Sequence, residues 1–286
     1  MEELFHKPAK KEWQSQLRRS GVLSARSFSE CSDIRAFSPS KELASRISHY
    51  WILRWNIPEG MTYKPTEVLG APVVNIFFTR SGGFLYGLSP KTIEYDARHN
   101  EVIAGITFLP GGFHPYWKKP MHTLPKGKIQ LRDIIPDATP EFCQHLLAIP
   151  EDSLLASELD KFFLGIQAQD SLHGQTIQSI FEKINSDPNL RSVASVSDAF
   201  RIPERTLQHI FREEVGTSVK WVILRARLLE AVMESFGEDE PDWARIAYQY
   251  DYSSQAHFIT DFKRVFGVSP QRYRKMNWDD FNQQKQ

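Results

Sequence analysis

Residues 243–274 read W-A-R-I-A-Y-Q-Y-D-Y-S-S-Q-A-H-F-I-T-D-F-K-R-V-F-G-V-S-P-Q-R-Y-R, and this stretch decides the fold of the carboxy-terminal part of the chain. Its first apolar residues, Ile246, Ala247 and Tyr250, recur at the spacing of one helix face. The Y-D-Y segment that follows interrupts this periodicity and is typical of a tight turn. The stretch therefore begins with a short amphipathic helix that ends in a turn.

A second helix is predicted directly after this turn. Ser253 or Ser254 can cap it, because a serine hydroxyl accepts a hydrogen bond from an N–H group of the first helical turn. Gly267 ends the helix and Pro270 lies just beyond, which is a common way for a helix to stop. The apolar residues share the i, i+4, i+7, i+8 spacing of a buried face: Phe258, Phe262, Val265 and Phe266. Two short helices joined by a turn predict a helix-turn-helix.

The order of residues in this stretch resembles the second helix-turn-helix of AraC/XylS transcription regulators. The resemblance rests on I-A at 246–247, Y-S-S-Q-A-H-F at 252–258, F-K at 262–263, and F-G-V-S-P at 266–270 with the closing Y-R. Upstream, R-T-L-Q-H-I-F at 205–211 resembles the first recognition helix of the same family. The resemblance covers about a third of the chain, from roughly residue 184 to residue 274. It implies an all-α domain with two DNA-binding helix-turn-helix units.

Three positions depart from the family pattern. The family usually has glycine in each helix-turn-helix turn, whereas Arg201 and Asp251 stand at those places here. Aspartate tolerates the left-handed backbone conformation fairly well and arginine less so. Pro203 replaces the usual capping serine of the first recognition helix; proline suits a first helical turn but brings no capping oxygen. These departures concern the first unit more than the second.

Polar side chains on the two recognition helices supply the chemistry of DNA recognition. Arginine can grip guanine and glutamine can grip adenine with two hydrogen bonds, whereas cations near helix ends suit phosphates. The residues assigned to base edges are Arg205, Thr206, Gln208 and His209 on the first helix and Ser254, Gln255, Ala256 and Thr260 on the second. The residues assigned to phosphates are Arg212, Lys263, Arg264, Arg272 and Arg274. The alternative for each is a solvated surface side chain.

An amphipathic segment at residues 219–236 lies between the two units. About 20 residues of helix give a rod of roughly 30 Å. One turn of B-DNA is about 34–36 Å, so such a rod can hold two recognition helices on one face of the duplex. A rod shorter than the turn predicts that the DNA bends.

Composition sets further bounds. The chain has 286 residues, is 41% hydrophobic, and has a formal net charge of +0, so any basic face must be local. Its two cysteines, Cys31 and Cys143, support neither a disulfide framework nor a zinc site of four thiolates, and a reducing cytoplasmic compartment is expected. No signal peptide and no membrane-spanning stretch is recognised, so a membrane is not an expected partner.

The fold class predicted is α+β, with a β-rich barrel or sandwich-like amino-terminal domain ahead of the all-α domain. Short aromatic and β-branched runs between turn residues, from Ile47 to Leu109, indicate its strands. Ser81-Gly82-Gly83 is a predicted hairpin turn. Aromatic side chains in this region are predicted to form a core, and some of them can line a small-molecule pocket.

The segment G-I-T-F-L-P-G-G-F-H at 105–114 has two interpretations. It resembles a segment in β-rich domains of some AraC-type regulators, and it nearly matches a cupin metal motif. A metal site needs convergent ligands, but His49, His99, His114 and His122 are scattered along the sequence. The simpler interpretation is a tight Pro-Gly-Gly turn after a strand. No metal or other cofactor is predicted.

The predicted domain organisation has five parts. A tail at 1–45 precedes a β-rich sensor domain at 46–133, a helical connector and hinge at 134–175, the DNA-binding domain at 176–275, and a second tail at 276–286. The connector carries an apolar stripe that either packs on the β domain or pairs with a second copy of the chain: Leu154, Leu155, Leu159, Phe162, Phe163 and Ile166.

The sequence therefore predicts a transcription regulator that binds specific double-stranded DNA, without catalytic activity. Its amino-terminal domain would sense a small-molecule effector or mediate assembly, and RNA polymerase and a second copy of the chain are further candidate partners. Two alternatives stay open. In one, the β domain only dimerises; in the other, it is a cupin-like metal-dependent enzyme fused to a DNA-binding domain.

Overall fold

The computed structural model describes residues 32–57, 66–68, 73–86, 93–95, 101–125 and 127–275. The predicted tail at 276–286, most of the tail at 1–45, His99 and Cys31 lie outside these residues. Among the described residues, no helix has both the length and the apolar character that a membrane crossing requires.

Eight strands are described in the amino-terminal part of the chain. Six of them form one antiparallel sheet in the order β1-β2-β7-β4-β5-β8, and β3 pairs with β6 in a separate ribbon. The strands are β1 Ser32–Phe37, β2 Ile47–Trp55, β3 Thr66–Val68, β4 Asn75–Thr79, β5 Gly82–Tyr86, β6 Ile93–Tyr95, β7 Val102–Phe108 and β8 Lys128–Gln130.

The predicted α+β class is confirmed, but the barrel or sandwich-like description of the β domain was too loose. The six-stranded sheet is open, because the end strands β1 and β8 each have one hydrogen-bonded neighbour among the described strands. Two helices cover one face of this sheet and bury its apolar residues, so neither closure nor a second stacked sheet is needed for that face. Strand pairing of this kind joins segments far apart in sequence, which a local pattern does not show.

The first strand corrects the predicted tail at 1–45. β1 pairs with β2 in a continuous register, from Ser32 opposite Trp55 to Phe37 opposite Tyr50. The side chain of Phe37 is buried, and so is that of Leu43 in the following turn. Residues 32–37 therefore form a strand of the sheet, and residues 38–45 lead from it toward β2.

Three helices complete the sheet region, which we define as the described residues from 32 to 165. They are α1 His114–Trp117, α2 Pro140–Leu147 and α3 Asp152–Gly165. Leu155, Leu159 and Phe163 of α3 are buried in the same core as the sheet. The apolar stripe of the predicted connector thus packs on the β domain, except that Leu154 is 56% exposed. Burial also raises the pKa of the Cys143 thiol to about 11.

Two predicted turns are found in the sheet region. The β4–β5 hairpin closes next to Gly82, whose φ of 136° only glycine adopts readily. Between β7 and α1, Gly111 has a φ of 77°, and a Cβ on Gly112 would lie 2.1 Å from the Arg46 carbonyl oxygen. The interpretation of residues 105–114 as a strand followed by a Pro-Gly-Gly turn is therefore confirmed. Among the described residues, no three His, Cys, Asp or Glu side chains converge as metal ligands would.

Six further helices form the helical region, which begins at Gly174. They are α4 Gly174–Ser186, α5 Val193–Phe200, α6 Glu204–Ile210, α7 Val219–Ser235, α8 Trp243–Gln249 and α9 Gln255–Phe266. A π-helical turn, Phe211–Val215, extends α6, and residues 270–275 begin another helical turn. Two cores are buried here, one under α4–α6 and one under α8 and α9, and α7 contributes residues to both.

Candidate nucleic-acid interface

The first helix-turn-helix unit is formed by α5 and α6. Ser192 caps α5 with a capping box: its Oγ accepts from the Ser195 N–H at 3.0 Å, while Ser195 Oγ accepts from the Ser192 N–H at 3.1 Å. Arg201 then takes a left-handed conformation with a φ of 53°. Pro203 precedes α6, and no side chain caps that helix. Arg201 stands where the family usually has glycine, and its backbone is in the left-handed conformation that favours glycine.

The first recognition helix presents the predicted polar face. Arg205, Thr206, Gln208 and His209 are exposed, whereas Leu207 and Ile210 are buried beneath them. The helix then widens into the π-helical turn and stops at Gly216, where φ is 84°.

Arg212 lies on the π-helical turn and is exposed, but it already has a neighbour in the sheet region. Its Nη2 lies 3.3 Å from Nε2 of His122. Its spacing from Arg205 and Gln208 places it on the same face one turn further along. The end of the reading face thus adjoins the sheet region.

The second unit is capped at both of its helices. Asp242 accepts from the N–H groups of Ala244 at 2.9 Å and Arg245 at 3.0 Å, and Ser254 accepts from that of His257 at 3.2 Å. The turn residue between the helices is left-handed, with a φ of 61° at Asp251. Both units therefore use the same turn geometry without glycine.

The second recognition helix exposes most of its assigned residues. Gln255 and Ala256 are exposed on its first turn. Thr260 is also exposed, but its Oγ1 donates to the Ala256 carbonyl oxygen at 2.8 Å. Ser254 acts as the helix cap, so its hydroxyl oxygen serves the backbone. Of the four residues assigned to base edges on this helix, Gln255 has the longest side chain. No side-chain hydrogen bond of Gln255 is seen among the described residues.

The assigned phosphate contacts divide into different environments. Lys263 and Arg272 are exposed, and Arg264 is exposed but lies 2.8 Å from Oδ1 of Asp261. Arg274 is half-buried and already has hydrogen-bond partners within the chain. Its guanidinium donates to the carbonyl oxygens of the segment after α7: Ser235 at 3.1 Å, Asp239 at 3.2 Å, and Glu238. These bonds brace the loop ahead of α8 and use much of the donor capacity of Arg274.

Two elements set the spacing of the units. α7 has 17 residues, which corresponds to about 25 Å. It is therefore shorter than the predicted rod and shorter than one turn of B-DNA. In addition, Arg191, which stands ahead of α5, pairs with Asp251 in the turn of the second unit. Sequence patterns did not indicate this pair, because 60 residues separate its members.

Hydrogen bonds also join the helical region to the preceding segment, residues 166–173, and to the sheet region. His173 Nδ1 lies 2.6 Å from Oε1 of Glu214 on the π-helical turn, and Ser171 donates to the same carboxylate. Gln178 of α4 donates to the Ser45 carbonyl oxygen at 2.7 Å. A cavity of about 160 Å³ lies beside these contacts and is lined by Ser45, Arg46, Gly111, Gly112, Pro115, Asp170, Ser171, Leu172, Gly174, Gln175 and Gln178.

A known protein family matches the part of the chain that contains both helix-turn-helix units. Residues 196–276 match a family described as a helix-turn-helix domain. These residues form an AraC-type helix-turn-helix domain. The AraC-type domain thus begins within α5 and includes both recognition helices. Residues 35–130, which include most of the sheet, match a family described only as a domain of unknown function (DUF6597).

Curated relatives of the AraC-type domain are transcription regulators. The chain is 36% identical over 69 residues to the probable transcription factor PqrA of Proteus vulgaris, covering 24% of this chain and 56% of that one. It is 29% identical over 125 residues to the transcriptional activator RhaS of Yersinia pestis, and this match covers 43% of this chain and 45% of RhaS. The chain thus spans about half the length of these relatives. ToxT of Vibrio cholerae aligns over 86% of this chain and 96% of its own, at 16% identity and a TM-score of 0.39.

Proposed function

We propose that this protein is a cytoplasmic transcription regulator that binds specific double-stranded DNA through both helix-turn-helix units, and not an enzyme. The observation that carries this proposal is the repeated geometry. Each unit has a left-handed turn residue followed by a short helix whose polar residues are exposed above a buried apolar face. A helix of this kind lies in the major groove in helix-turn-helix proteins, with its first residues on the bases.

The proposed base-reading residues are those at the beginnings of the recognition helices. Arg205, Gln208 and Gln255 have the donors and acceptors for two-bond contacts with guanine or adenine, and Ala256 can contact a thymine methyl group. Thr206 and His209 are exposed beside them, whereas Ser254 and Thr260 use part of their hydrogen-bonding capacity on the helix itself.

The proposed phosphate contacts are Arg212, Lys263, Arg264 and Arg272, which lie at helix ends or beyond. Arg274 is left out because it holds the loop before α8. The short α7 supports binding to one face of a bent duplex, since two units held closer than one helical turn need the DNA to curve toward them.

We further propose that the sheet region controls this binding, through a small-molecule effector or through assembly of two chains. The second face of the sheet carries a cluster of aromatic rings. The ring centre of Phe77 lies 5.3 Å from that of Trp51 and 5.7 Å from that of Tyr86. Gly105 makes room for Trp51, because a Cβ there would overlap the indole. Apolar, aromatic surfaces of this kind line small-molecule sites.

The binding function is tested by selection of DNA from a random pool with the full chain. A regulator with two heads enriches two short motifs at a fixed separation of about one helical turn. Recovery of no motif at any salt concentration would contradict the proposal. Contact with RNA polymerase is tested separately by transcription from a promoter that carries the selected site.

The effector proposal is tested by thermal denaturation against a panel of metabolites. A compound that binds only the folded sheet region raises the melting temperature, and does so further as its concentration rises above its Kd. A panel without any such compound, combined with a dimer in sedimentation, favours the alternative in which the sheet region only assembles two chains.

A further inference from the structure

One stretch of the sheet region has an unusual charge. The whole chain is balanced, with 35 lysines and arginines and 35 acidic residues. Between Glu101 and Asp133, however, the sequence has five lysines and arginines and no acidic residue. In a protein without net charge, such a stretch is a local site for anions.

Residues 118–123, in the middle of this stretch, are held in a fixed conformation. We name them the basic segment. Lys118 is left-handed, with a φ of 57°, and its N–H donates to the His114 carbonyl oxygen at 3.0 Å. Lys119 Nζ lies 5.1 Å from the centre of the Trp117 ring, while Trp117 Nε1 lies 3.3 Å from both the Pro120 carbonyl oxygen and Thr123 Oγ1. Both lysine side chains are exposed on this scaffold.

The basic segment lies against the end of the first recognition helix. The turn Met121–Thr123 packs on the π-helical turn Phe211–Val215. His122 Nε2 lies 3.3 Å from Nη2 of Arg212, which continues the face that bears Arg205 and Gln208. The basic segment therefore adjoins the end of the polar face of the first unit.

Two acidic groups beside the basic segment belong to the π-helical turn. Glu213 Oε1 lies 3.6 Å from His122 Nδ1, and Glu214 is buried against His173 and Ser171. Among the described residues, Lys118 and Lys119 have no carboxylate within 4 Å. Their charges are thus not balanced by an ion pair in this part of the chain and are open to an external anion.

We propose that the basic segment is a third DNA-contacting element, in which Lys118 and Lys119 bind backbone phosphates beside the site of the first recognition helix. This inference rests on the proposed function, because the recognition helix is what brings the duplex to the lysines. A bilayer suits the segment less well, since its apolar residue Met121 is buried and offers no anchor to lipid chains. The sheet region then adds affinity and length to the DNA site without reading sequence.

The test compares the full wild-type chain with a double variant, Lys118→Asn and Lys119→Gln. Asparagine is chosen because it tolerates the left-handed backbone of Lys118. The matched control is Lys161→Gln, which removes an exposed lysine from α3. Affinity for the selected operator is measured over a salt series, and the protected DNA is mapped by hydroxyl-radical footprinting. Far-ultraviolet circular dichroism and the melting temperature confirm that each variant is folded.

The double variant should reduce the slope of log K against log salt concentration by about two units, since each phosphate that the protein no longer neutralises keeps its counterion. Its footprint should no longer include the phosphates flanking the first half-site, while the base preference and the second half-site stay as in wild type. The control variant should match wild type in both measurements.

Three results would overturn the proposal. A folded double variant with the wild-type slope and footprint would show that the lysines do not touch DNA, while leaving the two-head function intact. Unchanged DNA binding with weakened binding to phosphatidylglycerol vesicles would assign the segment to membranes instead. A wild-type chain that selects no operator would remove the proposed function and with it the basis for a third DNA-contacting element.

Discussion

Arg191 donates a hydrogen bond from Nη1 to Oδ2 of Asp251, which joins the start of the first helix-turn-helix unit to the turn of the second. The guanidinium is fixed from its other side, because Nε donates to the Pro188 carbonyl oxygen at 2.8 Å. The two units are thus linked directly as well as through α7. The link stabilises one relative orientation of the two recognition helices.

Arg191→Ala should alter how the protein measures the distance between half-sites. Because both partners are partly exposed, the change in the free energy of unfolding should stay below about 1 kcal/mol. Affinity for operators with one base pair added or removed between half-sites should fall less steeply than in wild type. The control is Lys183→Ala, which breaks the ion pair between α4 and Asp187 just after it. Identical spacing preference in Arg191→Ala and wild type would contradict the proposed role.

Arg201→Gly should stabilise the first unit. An L-residue in the left-handed conformation costs roughly 1–2 kcal/mol, part of which is offset by the greater freedom of glycine in the unfolded chain. We therefore expect a gain of up to about 1 kcal/mol in urea unfolding. Asp251→Gly serves as the comparison, since it relieves the smaller backbone cost of an aspartate in the same conformation and removes the partner of Arg191. A larger gain at Asp251 than at Arg201 would argue against the stabilising role of that pair.

Phe262→Ala should destabilise the second unit by about 3–5 kcal/mol, which is the usual range for a buried phenylalanine. Phe262 is fully buried, and the centre of its ring lies 4.6 Å from the ring centre of Phe266 and 5.7 Å from that of Tyr273. Operator binding should disappear with the fold of this unit. Tyr248→Ala is the matched aromatic control, because Tyr248 is 83% exposed. Equal stabilities of the two variants would show that the core of α9 is misassigned.

Gln255→Ala or Arg205→Ala should cost about 1–3 kcal/mol on the operator and relax preference at one or two base pairs. Lys263→Ala should weaken specific and nonspecific DNA binding about equally and reduce the salt slope by about one unit, since phosphates carry no sequence information. Binding of the variants to operator and scrambled DNA over a salt series separates these roles. A change of base preference in Lys263→Ala, with uniform weakening in Gln255→Ala, would reverse the proposed orientation of α9.

Glu214→Ala should expose the segment between the sheet region and the helical region to proteases. The Glu214 carboxylate holds Ser171 and His173, while Leu172 between them is 97% exposed and offers a chymotrypsin site. Cleavage between residues 168 and 175 should therefore be faster in the variant than in wild type. The control is Glu182→Ala, which changes an exposed residue of α4. Equal cleavage rates in all three proteins would show that these hydrogen bonds do not hold the segment.

The carboxy-terminal helices could be predicted from sequence because their signals are local. Ser254 caps α9 and Gly267 ends it, as the residues around them predict. The left-handed turns at Arg201 and Asp251 could be located as well, though only through the family pattern. Which residues touch DNA stays a prediction.

The interactions that sequence reasoning missed join distant segments. β1 has a weak strand pattern of its own and is stabilised by pairing with β2. Arg274 forms a hydrogen bond with the end of α7, 39 residues away. The same holds for Arg191 and for the bonds of Glu214 to residues more than 40 positions upstream. Such interactions depend on the packed fold, so a periodicity or a motif in one window does not reveal them.

α7 supplies side chains to two cores at once. Its first half, with Val222 and Ile223, lies in the core of the first unit, and its second half, with Leu229 and Val232, lies in that of the second. Neither unit can therefore be excised, duplicated or exchanged as a self-contained module, because each would take half of the shared helix from the other. A core substitution near the middle of α7 is therefore expected to disturb both units together, and not one of them alone.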